Sequence, residues 1–61
     1  MSLANQILRD LAAGQATAHS IALRLRITTD QVIALCEELL AEDKILKSLI
    51  NNYIPVYRLN N

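Results

Sequence analysis

Sixty-one residues hold one small domain, and a chain this short buries only about 60% of its unfolded surface, so its core has to be dense in aliphatic side chains. Hydrophobic residues reach 52%, almost all Leu, Ile, Ala and Val, with one Gly and one Pro, which excludes a disordered chain and a glycine-rich phosphate loop. Six Lys plus Arg balance six Asp plus Glu, and a lone Cys36 beside a lone His19 excludes an internal disulfide and a structural zinc site.

From Ser2 to Ala13 the apolar residues Leu3, Ile7, Leu8 and Leu11 recur at helical spacing, with Ser2 as a starting cap and Gly14 where a left-handed C-terminal cap is wanted. A short second helix is expected after Thr17, a capping hydroxyl, with Ala18, Ile21, Ala22 and Leu25 on one face. The third helix starts near Thr28, because Thr28 and Gln31 have the spacing of a capping box. Its inner face is Val32, Leu35, Cys36 and Leu39, and it runs through Glu42 and Asp43.

Ile45 to Leu49 and Val56 to Leu59 read as two strands around the turn residues Asn51 and Asn52, with Pro55 expected at the start of the second strand or on an edge. The order of elements predicts an α+β winged helix over residues 1–61, a three-helix bundle with a C-terminal two-stranded antiparallel β-hairpin. No apolar run is long enough to cross a bilayer and no signal-peptide pattern opens the chain, so the expected setting is cytoplasmic, without a membrane. With no paired carboxylates on separate elements and no Cys–His dyad, neither an enzyme, nor a cofactor, nor a small-molecule substrate is expected.

The stretch Ile21-Ala22-Leu23-Arg24-Leu25-Arg26-Ile27-Thr28, followed by Val32, Leu35, Leu39, Lys44-Ile45 and Val56-Tyr57-Arg58-Leu59, resembles the winged helix regulators of bacteria and phages over nearly the whole chain. The resemblance implies double-stranded DNA as partner, with the third helix in the major groove and the hairpin as wing. Where such regulators carry Gly in the turn and after the third helix, this chain has Arg26 and Asp43, at positions that call for positive φ at about 1 kcal/mol each. Thr17-Ala18-His19 and Ile54-Pro55-Val56-Tyr57-Arg58-Leu59 also resemble the Z-alpha domains that bind left-handed DNA. In that alignment Asp30, Ile33 and Glu37 stand where those domains carry Lys, Asn and Tyr, so the likeness is one of fold.

On the DNA reading, Thr28, Thr29 and Gln31 in the first turn of the third helix face base edges. Arg24 and Arg26 beside the turn, Lys44, Lys47 and Arg58 on the hairpin, and Thr17 and His19 at the second helix reach phosphates. Asn52 and Tyr53 form the wing tip. Against it stand Asp30, Glu37, Glu38, Glu42 and Asp43, five of the six acids, on the helix that would meet phosphate. The alternative is a protein-binding winged helix, an adaptor or anti-regulator, with Ile33 and Leu40 as an apolar strip for a protein partner or a homodimer.

Overall fold

The computed structural model describes residues 2–61. Helix α1 covers Leu3–Leu11, strand β1 Ala16–Thr17, helix α2 Ala18–Leu25, helix α3 Thr29–Ala41, strand β2 Ile45–Ile50 and strand β3 Ile54–Leu59. Each helix begins at the hydroxyl expected of it: Ser2 accepts from the Asn5 N–H, Thr17 from the Ser20 N–H and Thr28 from the Gln31 N–H, each at 3.1 Å. These bonds satisfy amide donors that a helix start leaves without partners.

The helix ends differ in part from expectation. Helix α1 stops at Leu11 with Ala12 in right-handed geometry. Gly14 is therefore not a left-handed cap; its φ of 143° lies in a region open to glycine, and it swings the chain into β1. Arg26 and Asp43 both adopt φ 58°, as the resemblance to regulators with Gly at these positions implies. Around Asp43, the Lys44 N–H reaches the Leu39 carbonyl and the Asp43 N–H the Leu40 carbonyl, both at 3.0 Å. That pair of bonds closes the end of α3, which stops at Ala41 with Glu42 as its cap and so does not run on through Asp43.

The sheet is three-stranded and antiparallel in the order β1-β3-β2. The expected hairpin is β2-β3, and β1 is an addition to it: Ala16 pairs with Tyr57 and Thr17 with Val56. Two residues are too few to show an alternating pattern. Pro55 lies second in β3, just before β1 joins, so only β2 flanks it and its missing N–H leaves no gap toward β1. Asn51 and Asn52 take φ 54° and 68°, closed by the Tyr53 N–H on the Ile50 carbonyl at 3.2 Å.

The core gathers Ile7 and Leu11 of α1, Ala18, Ile21 and Ala22 of α2, Val32, Cys36 and Leu39 of α3, Ile45 of β2 and Tyr57 of β3. The helical members carry the 3.6-residue period of the sequence, whereas Ile45 and the wholly buried Tyr57 are turned inward by the register of the sheet. The result is an α+β domain with the layout of a winged helix. Among the described residues no helix is long and apolar enough to cross a membrane.

Candidate functional site

The first turn of α3 is built by its cap. Thr28 Oγ1 accepts from the Gln31 N–H while Gln31 Oε1 accepts from the Thr28 N–H at 2.9 Å and from the Thr28 hydroxyl at 3.2 Å. Both side chains are thus engaged in holding the helix start, and Gln31 keeps its amide NH₂ for anything else. Thr28 and Gln31 are exposed and Thr29 is half-buried. Replacing the capping oxygen, Thr28→Ala, is expected to cost about 1 kcal/mol. In a domain of this size that lowers the thermal midpoint by roughly 4–8 °C; a midpoint equal to that of the parent chain would show that the cap carries no weight.

The cations expected to grip phosphate are mostly engaged within the chain. Arg24 donates to both carboxylate oxygens of Asp10 at 2.7 and 2.8 Å, a fork that ties α2 to α1 and raises the guanidinium pKa above its usual value, chiefly through the hydrogen bond to Asp10. Lys44 lies 3.1 Å from Glu42, and Lys47 lies 3.5 Å from Glu37. Such exposed pairs contribute little to stability, but they neutralise the charge locally. Among the described residues Arg9, Arg26 and Arg58 make no ion pair.

The register of the hairpin separates two of these cations. Lys47 stands opposite Tyr57, and Leu46 opposite Arg58. Side chains directly opposite each other share a face, and neighbours along a strand alternate. Lys47 therefore shares the face of Tyr57 and Ile45, which is the core side, and reaches α3 there; Arg58 projects from the outer face. The expected phosphate clamp of Lys47 and Arg58 is not assembled on one side of the sheet.

Helix α3 itself shows solvent an acidic stripe. Asp30, Ala34, Glu37, Glu38 and Ala41 are all exposed and recur at helical spacing, and α3 contains no Lys or Arg. Ile33 and Leu40, the expected apolar strip, are instead partly buried and packed against the core. Among the described residues the large exposed hydrophobics are Leu23 at 67%, Leu49 at 51%, Ile50 at 46% and Tyr53 at 73%. Three of these lie on the hairpin, where sequence periodicity gave no sign that β2 outruns the core.

The remaining candidates are scattered. His19 is exposed in the first turn of α2, Thr17 is half-buried with its hydroxyl donating to Ser20 Oγ at 2.9 Å, and Asn52 and Tyr53 are exposed at the wing tip. An open groove beside the Arg24–Asp10 pair is lined by Gln6, Arg9, Asp10, Ala13 and Leu25. Among the described residues no group of three or more His, Cys, Asp or Glu is placed to hold a metal.

Among the described residues, three helices capped by hydroxyls, a two-residue strand between the first two and a C-terminal hairpin make an α+β fold with a winged-helix-like layout. No protein-family model, curated protein or solved structure matches this chain.

Proposed function

We propose that this domain is a protein-binding winged helix, an adaptor or anti-regulator that docks the exposed stripe of α3 against a basic surface of a protein partner. The observation that carries it is the distribution of charge. Helix α3 presents carboxylates beside the small Ala34 and Ala41, which permit close approach, and carries no cation. The nearest hairpin cation, Lys47, is held by Glu37. Phosphate neutralisation by Lys and Arg supplies most non-specific DNA affinity. A neutral chain whose third helix repels phosphate lacks that contribution.

The second reading is a small sequence-specific transcriptional regulator, with Thr29 and Gln31 reading bases and Arg26, Lys47 and Arg58 holding phosphates. It is favoured by the open first turn of α3 and by the lack of an acidic partner for Arg26 and Arg58 among the described residues. Pairing of two copies on a repeated site would enlarge its limited DNA surface.

Titration of labelled random duplex at low and moderate salt separates the two. The adaptor reading expects no binding at micromolar protein even at low salt. It also expects a Lys- and Arg-rich probe peptide to shift the amide resonances of Asp30, Ala34, Glu37, Glu38 and Ala41, an effect lost in the double variant Glu37→Lys, Glu38→Lys. Tight duplex binding that weakens steeply with salt would transfer the assignment to the regulator.

A further inference from the structure

We infer that the free edge of β2 pairs antiparallel with the same edge of a second copy of this chain, joining two three-stranded sheets into one. Strand β2 is bordered by β3 on one side only. The Lys44 carbonyl accepts from the Asn60 N–H at 3.1 Å and the Ile50 carbonyl from the Tyr53 N–H, and the register between them runs without a bulge. The even-numbered residues of β2 therefore turn their backbone groups toward β3, while Ile45, Lys47 and Leu49 turn theirs to the open edge. An exposed edge carrying apolar side chains is a template for another strand, and Leu49 and Ile50 are about half exposed.

The sequence of β2 selects its own copy as that strand. A twofold axis normal to the sheet keeps the two cores on the same side and pairs residues of equal parity. Centred on Ser48, it sets Leu46 against Ile50 of the second copy on the outer face, twice by symmetry. It also sets Lys47 against Leu49 of the second copy, both with open backbone groups, so each such pair exchanges its hydrogen bonds. Ser48 meets Ser48. Centring on Lys47 would oppose two ammonium groups, and centring on Leu49 would shorten the overlap.

Charge permits the approach. The chain is neutral, and the one charge on β2, Lys47, already lies 3.5 Å from Glu37 of its own copy. A standard interface removes about 800 Å² from each partner, roughly a fifth of the 4094 Å² this chain exposes. A six-residue edge supplies less than that, so the expected dissociation constant is micromolar.

The test is sedimentation of the whole chain over a concentration series, together with cysteine cross-linking. The expected result is a monomer–dimer equilibrium that Ile50→Lys weakens at least roughly tenfold with an unchanged circular dichroism spectrum. Directly opposed residues without mutual hydrogen bonds have Cα atoms about 4.5 Å apart, within disulfide reach. Ser48→Cys should therefore close a disulfide between copies far faster than the wing-tip variant Asn52→Cys, and the buried Cys36 should not compete. A chain that stays monomeric at millimolar concentration would overturn the inference, and so would a dimer in which Ser48→Cys links no faster than Asn52→Cys. The surface is separate from the α3 stripe, so neither outcome bears on the adaptor reading.

Discussion

Ile21→Ala is expected to remove about 2–5 kcal/mol from a domain whose whole stability, at 61 residues, is roughly 3–9 kcal/mol. Ile21 is fully buried on α2 and belongs to the core cluster with Val32 and Cys36 of α3 and Tyr57 of β3. Truncation loses the transfer free energy of the missing methylene and methyl groups and leaves a cavity that the surrounding core fills only in part. Leu23, two residues along the same helix but 67% exposed, is the internal control: Leu23→Ala is expected to change stability by less than about 0.5 kcal/mol. Urea midpoints of the two variants check the prediction. Equal losses would mean that α2 does not present the face assigned to it.

Alkaline pH is expected to destabilise the domain between about pH 9 and pH 12, with little change below that window. Burial pushes the Cys36 thiol up from 9.0 to about 11, with a smaller push from Glu37 that Lys47 partly opposes. Burial likewise raises the Tyr57 phenol from 10.0 to about 12, helped by Cys36 and then Glu37. Both groups are neutral when protonated, and the unfolded chain ionises them first. The stability they contribute is thus fully present below the unfolded values and is lost as pH rises through the folded ones.

A urea midpoint that holds to about pH 9 and falls by roughly half or more by pH 12 is the expected record. Cys36→Ala should move the onset up toward pH 10, and Tyr57→Phe should remove the upper part of the decline. Among the described residues the buried Tyr57 hydroxyl has no hydrogen-bond partner, a burden of about 1–3 kcal/mol. Tyr57→Phe is therefore also expected to be neutral or stabilising at pH 7. A midpoint unchanged through pH 12 would contradict the burial of both groups.

Much of the fold was legible because its signals are local. Ser2, Thr17 and Thr28 cap the helices they were expected to cap, since a hydroxyl bonds an amide three residues on whatever the rest of the chain does. The inner faces of the helices follow from spacing, whereas the positive φ of Arg26 and Asp43 is what the resemblance to regulators with Gly at those positions implies. The Arg24–Asp10 fork was not legible: fourteen residues separate the partners in the chain, and only the packing of α2 on α1 brings them together. The two-residue β1 was hidden for a similar reason, because it exists only as the partner of β3.

The candidate site turned on a single parity. A two-residue turn at Asn51-Asn52 would have paired Ile50 with Tyr53 and set Arg58 opposite Ile45, on the same face as Lys47. In the folded chain Ile50 pairs with Ile54, Tyr53 joins the loop, and Arg58 moves to the other face. Because side chains alternate with a period of two, one residue of slip exchanges the faces of an entire strand. Composition, periodicity and capping chemistry settle from the sequence which segments form the three helices and the hairpin and which helical side chains turn inward, since those depend on neighbours a few residues apart. Which cations share a surface, which carboxylates neutralise them and which strand edge stays open was decided only by tertiary structure, since these depend on strand register and helix docking between residues distant in the chain.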